Sequence, residues 1–215
     1  MTLKQLENMV AGGESLTVEF KHKIHFPEKI AREIVAFANT KGGSLLIGVD
    51  DNKQIFGLKN IEEEVFSLQN LMKNHIKFSL DYTLEQIKIN PKKEVLCVYI
   101  PEAKRKPNFV LENRKEKYGI AYVRVADKSV KASNEMIKIL KADLHKKEVL
   151  FTYGENEKKV IKQITEEGHV TLKTCSAKQL WSEGMVSDLL VNMCVAGILS
   201  IHAAEEKEDL FTLKV

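Results

Sequence analysis

Glu14 and Glu19 stand five residues apart, Lys21 follows two after the second, and Asp50 and Asp51 close a later apolar run. Carboxylates at that density are hard oxygen donors suited to Mg²⁺ or Mn²⁺, and a neighbouring lysine can offset charge developing on a scissile phosphate. Ser15 to Lys21 alternates, with Val18 and Phe20 on one face and Glu19 and Lys21 on the other. Asp50 ends a run whose face-mates are Ser44, Leu46 and Gly48. If the two runs pair as strands, Glu14, Glu19 and Asp50 could hold one divalent ion, with Lys21 as a catalytic partner, in a metal-dependent nuclease. The spacing alone is permissive. An acid two residues before a lysine occurs five times, at Glu19, Asp51, Glu102, Glu157 and Glu205. A solvated, salt-bridged surface is the competing reading.

A second group is basic. Residues 101–131 carry nine Lys or Arg against four acids, with Phe109, Tyr118 and Tyr122 interleaved. Cations neutralise phosphates and release counterions, while aromatic rings stack on unpaired bases. Lys104, Arg105, Lys106, Arg114, Lys115, Lys117, Arg124 and Lys128 are therefore the candidate nucleic-acid contacts, on DNA or RNA; a charged soluble loop is the alternative.

The elements that must position these groups follow from periodicity. Helical spacing behind Thr2 runs to Gly12-Gly13, and another stripe (Ile30, Ile34, Val35, Ala38) follows Pro27. Leu45 to Val49 reads as a buried strand, and Ile61, Val65, Leu68, Met72 and Ile76 as a long helix. Strands are expected at 82–89, 95–100 and 120–125, then a helix capped by Ser133. Beyond it, helical patterns at 155–167, 173–180 and 186–196 precede two short alternating runs. Three helices and a terminal hairpin describe a winged helix-turn-helix. The expectation is thus an α/β (α+β) protein: a mixed-sheet domain over 1–146, a linker at 147–154 and a winged helix-turn-helix over 155–215.

Charge divides along the same line. The 215-residue chain has a net charge of +3, yet residues 151–215 hold seven Lys against ten acids. A basic footprint for an anionic partner therefore belongs to the first two-thirds. The expected reading helix, 186–196, has Ser187, Asp188 and Asn192 but no Lys or Arg. It suits protein contact or dimerisation better than a major groove.

Several classes find no support. There is no GxxxxGK[ST] loop for ATP, no GxSxG elbow, and no zinc spacing around His22 and His25. Cys97, Cys175 and Cys194 are scattered and read as buried thiols. No run approaches the ~18 apolar residues of a membrane span, and no secretory leader pattern opens the chain, so a cytoplasmic protein is expected.

The blocks Glu14-Ser-Leu-Thr-Val-Glu19-Phe-Lys21, Ile34 to Gly43 (IVAFANTKGG), Leu46 to Asp51 (LIGVDD) and Ile55-Phe-Gly-Leu58 resemble the Schlafen AlbA-like domain. Lys106 to Phe109 and Tyr122 to Ser129 resemble its later blocks, so the likeness covers about 14–132. It implies a nucleic-acid-binding α/β domain of the kind found in bacterial transcriptional regulators, often followed by a helix-turn-helix. It also implies that Glu14, Glu19 and one of Asp50 and Asp51 correspond to a Mg- or Mn-dependent ribonuclease site, strand phase favouring Asp50. Ala126 stands where that family usually has glycine. A DNA-binding, dimeric regulator is the leading expectation, and the endoribonuclease is the alternative.

Overall fold

Thr2 and Gln5 cap each other reciprocally at the start of α1 (Leu3–Gly12), which ends at Gly13 with φ +83°. β1 (Val18–Lys21) leads to α2 (Pro27–Asn39), whose proline occupies the first turn, where the missing N–H costs nothing. β2 (Gly43–Ile47), α3 (Ile61–His75), β3 (Thr83–Asn90) and β4 (Lys93–Ile100) follow. The computed structural model describes residues 1–112, 115, 117–142, 153–205 and 207–214.

β1 and β2 run parallel, joined through α2, while β4 pairs antiparallel with both β2 and β3. The sheet is therefore mixed, in the order β1-β2-β4-β3. Its two faces bury different things. Leu45, Ile47, Leu96, Val98 and Ile100 pack with Ile34, Phe37, Leu68 and Leu71 of α2 and α3. Phe20, Leu46, Ile87 and Cys97 pack with Leu6 and Val10 of α1. Both faces being covered explains why β2 and β4 read as near-continuous apolar runs.

A hairpin of β5 (Tyr122–Val125) and β6 (Lys128–Lys131) packs on α2, with Arg124 opposite Ser129. The sequence gives no sign of β6, because its four residues contain one apolar side chain and no measurable period. The hairpin turns through Ala126 at φ +53°.

The chain divides into two compact units, Met1–Lys131 and Ala132–Val215. The second holds α4 (Asn134–Ala142), α5 (Glu155–Glu167), α6 (Leu172–Gln179), α7 (Glu183–Val195) and the hairpin β7 (Leu199–His202) with β8 (Leu210–Leu213). Its core gathers Val160, Ile164, Cys175, Val186, Leu190, Met193 and Phe211. Val170, ahead of α6, exchanges backbone hydrogen bonds with Phe211. The helix behind Ser133, expected to close the first domain, groups with this unit instead. Ser187 of α7 donates to Glu135 and accepts from Lys138, which also pairs with Asp188, while Ser133 bonds to Asp209. Most of the expected linker, 147–152, lies outside the described residues.

Candidate functional site

The parallel register places Glu19 opposite Leu45 and Lys21 opposite Ile47, so both acidic-group members on β1 share the α2 face. Arg124 enters that face from β5 and is only 4% exposed. Its Nη1 donates to Glu19 Oε2 at 2.9 Å and to Glu33 Oε2 at 2.5 Å, and its Nη2 donates to the Ser15 carbonyl at 2.7 Å. Ser129, facing it on β6, donates to the same Glu33 oxygen at 2.5 Å. The guanidinium sits 4.7 Å from the Phe37 ring centroid. Lys21 donates from Nζ to Glu19 Oε1 and to the Phe20 carbonyl. Glu19 therefore has a cation on each oxygen.

Glu14 accepts the Phe20 N–H at 2.9 Å. Burial pushes its carboxyl above the usual value; that hydrogen bond opposes the shift, and the charges of Glu19 and Asp51 add to it. Burial likewise raises Glu33, with Glu19 adding to the rise and Ser129 and Arg124 opposing it. The aspartate acting on Glu14 is Asp51. Strand phase favoured Asp50, but β2 ends at Ile47 and Gly48, at φ +107°, breaks the alternation. Asp50 instead closes a turn, accepting the Gln54 N–H on Oδ1 at 2.8 Å and the Lys53 N–H on its carbonyl.

The acids expected to hold a divalent ion are engaged by partners within the protein. Glu19 is neutralised by Lys21 and Arg124, and Asp50 is committed to its turn. Among the described residues no group of three His, Cys, Asp or Glu side chains is disposed to hold a metal.

The basic candidates separate. Lys104, Arg105, Lys115, Lys117 and Lys128 are exposed. Arg124 and Lys106 are not surface cations: Arg124 is the hub just described, and Lys106, 8% exposed, pairs with Glu102. This corrects the expectation that both contact phosphate: composition does not distinguish a cation facing water from one neutralising acids inside the fold. Arg114 lies outside the described residues. Two residues absent from the sequence expectation join them, the exposed Lys77 and the half-buried Phe78. Lys77 donates to the Lys117 carbonyl at 2.9 Å and lies 5.4 Å from the Phe109 ring centroid. Phe78 meets Phe109 edge-on at 6.4 Å, with Arg105 5.3 Å from its centroid. These two sit just past α3, about thirty residues from the basic stretch, and no local pattern connects the segments.

Residues in the blocks that carry the family likeness also serve the architecture. Asn39 donates from Nδ2 to the carbonyls of Asn108 and Tyr122 and accepts the Asn108 N–H on Oδ1, stitching three distant segments together. Gly43 lies where a Cβ would come 2.3 Å from the Phe37 ring.

A family model described as Schlafen, AlbA_2 matches residues 14–133. Among solved structures, the N-terminal domain of an ATP-dependent DNA helicase RecG-related protein from Nitrosomonas europaea aligns at 24% identity with a TM-score of 0.46, over 60% of this chain and 91% of that one. The DIP2311 protein from Corynebacterium diphtheriae aligns at 16% identity with a TM-score of 0.44. That alignment spans 99% of this chain but 38% of the other protein. No curated protein matches the chain.

Proposed function

We propose, on the premise that this chain belongs to the Schlafen AlbA_2 family, that it is a DNA-binding protein of the transcription-regulator type. Nucleic acid lies on the first unit, against Lys104, Arg105 and Lys117 with Lys77 beside them. The single observation that carries this is a cluster of exposed cations interleaved with aromatic rings: Lys77 at Phe109, Arg105 at Phe78, Lys117 at Tyr118, and Lys104 lining the same cleft as Phe78 and Arg105. Exposed cations supply phosphate attraction, and the exposed Tyr118 ring gives the surface stacking capacity.

The second unit is read as a winged helix-turn-helix used for dimer assembly or partner contact. The order of helices and hairpin supports this, as does the Val170 pairing with Phe211. Its α7 has no Lys or Arg, and its Ser187 and Asp188 are already bonded to α4. The nuclease alternative centred on Glu14, Glu19 and Asp50 or Asp51 has less support, because both oxygens of Glu19 are paired with Lys21 and Arg124 and Asp50 caps a turn.

The test is fluorescence anisotropy with labelled DNA over a salt series, comparing wild type with a Lys104→Ala/Arg105→Ala/Lys117→Ala variant. Each lost phosphate contact should flatten the log affinity against log salt slope by about one. Salt-independent binding, or unchanged binding by the variant, overturns the reading.

A further inference from the structure

Beside the basic face lies a cleft of about 470 Å³ in the first unit. Glu28 and Arg32, one turn apart on α2, form one wall, and His75 at the end of α3 closes another. The floor is apolar and its backbone is satisfied: Val110 and Ile120 exchange hydrogen bonds at 2.8 and 2.9 Å. Gly119 permits that close pairing, since a Cβ there would come 2.5 Å from the Val110 carbonyl. At the rim stands Tyr118, 77% exposed.

Tyr118 is the exposed ring of this region, whereas Phe78, Phe109 and Tyr122 are half-buried. Arg32 lies 5.6 Å from the Tyr122 centroid, and Phe109 is packed by Phe78 and Lys77. Tyr118 also adjoins the cations, for the Lys117 ammonium is 5.5 Å from its centroid and the Lys117 carbonyl accepts from Lys77. The cleft thus combines a stackable ring, an apolar floor, a carboxylate acceptor, a guanidinium donor and neighbouring phosphate-binding charge. These are the requirements of a nucleobase still attached to its strand. A base within a duplex has both faces stacked and cannot enter.

We infer that this cleft receives an unpaired nucleobase, stacked on Tyr118, of a strand held by the adjacent cations, so that single-stranded or locally melted nucleic acid is the preferred target. This rests on the nucleic-acid reading above and specifies its substrate.

The experiment uses single-stranded DNA and RNA oligonucleotides carrying 2-aminopurine, beside the matching duplexes, with the full chain and its Tyr118→Ala and Tyr118→Phe variants. The expected result is tighter binding of a single strand than of duplex and a stacking-induced change in 2-aminopurine fluorescence. Tyr118→Ala should lose both, with about tenfold weaker single-strand binding, while Tyr118→Phe retains them. The DNA and RNA arms report which sugar is preferred. Equal affinity of wild type and Tyr118→Ala for single strands, or preference for duplex, overturns the inference. If that happens while the Lys104/Arg105/Lys117 variant still loses binding, the cleft assignment alone falls. Absence of wild-type binding to every probe removes both readings.

Discussion

The Arg124 guanidinium donates to the Glu19 carboxylate at 2.9 Å, joining β5 to β1 across 105 residues of chain. Both residues belong to the blocks that carry the Schlafen AlbA_2 match, and each alone invites a chemical role. Together with Glu33, Ser129 and Lys21 they neutralise one another inside the fold. The pair is an internal fastening of the hairpin to the sheet edge.

Removing its cation should be costly. Arg124→Ala leaves Glu19 and Glu33 buried with a central positive charge gone, and breaking a buried pair from one side typically costs about 3–5 kcal/mol. Urea unfolding should register a loss of that order. Nucleic-acid affinity at saturating folded protein should hold, because the residue does not face solvent.

Burial raises Glu14 and Glu33 above their ordinary value of 4.5 in the folded state. The folded chain then binds more protons than the unfolded one between 4.5 and the raised values. Their contribution favours folding below that window and is lost as pH rises through it. Glu14→Gln, which keeps the acceptor for the Phe20 N–H, should stabilise the protein at neutral pH by under about 1 kcal/mol. Chemical denaturation across pH should show the difference vanishing near 4.5.

Ala126 turns the β5–β6 hairpin at φ +53°, where a Cβ is strained and glycine is not. Ala126→Gly should raise stability by about 0.5–1 kcal/mol, the relief of strain being offset partly by the freer unfolded chain. Thermal unfolding would detect it; a lower melting temperature would contradict the strain argument.

Asn39 makes three hydrogen bonds to Asn108 and Tyr122 from a buried position. Asn39→Ala orphans two carbonyls and an N–H and should cost about 2–4 kcal/mol. Asn39→Asp should cost a similar amount, since a carboxylate cannot donate. Hydrogen exchange should then report loosened segments around 108 and 122.

On the exposed face, Lys104→Ala and Lys117→Ala should each weaken binding of all sequences alike and lower the salt slope by about one, leaving stability unchanged. Lys106→Ala should instead act on stability, because that side chain is buried against Glu102 and the Thr40 carbonyl. Paired anisotropy and unfolding measurements separate the two behaviours.

Much of the fold was legible in the sequence. The cap at Thr2, the proline entering α2 and the stripes of α2 and α3 declare themselves through periods of 3.6, and β2 and β4 through unbroken apolar runs. The three helices and hairpin of the second unit fall within a few residues of their expected limits. These features depend on near neighbours along the chain. What needed tertiary structure was every decision made across it. The end of β2 at Ile47 and the positive φ of Gly48 take Asp50 out of strand phase and into a turn. The convergence of β1, α2 and the hairpin turned Arg124 from a surface cation into a buried hub. The passage from α3 into Lys77 and Phe78 completed a basic, aromatic face that the 101–131 stretch holds only in part. The sequence determines which residues carry charge. Whether a charge meets water, a phosphate or another charge is decided by packing between segments a hundred residues apart, where desolvation makes pairing obligatory.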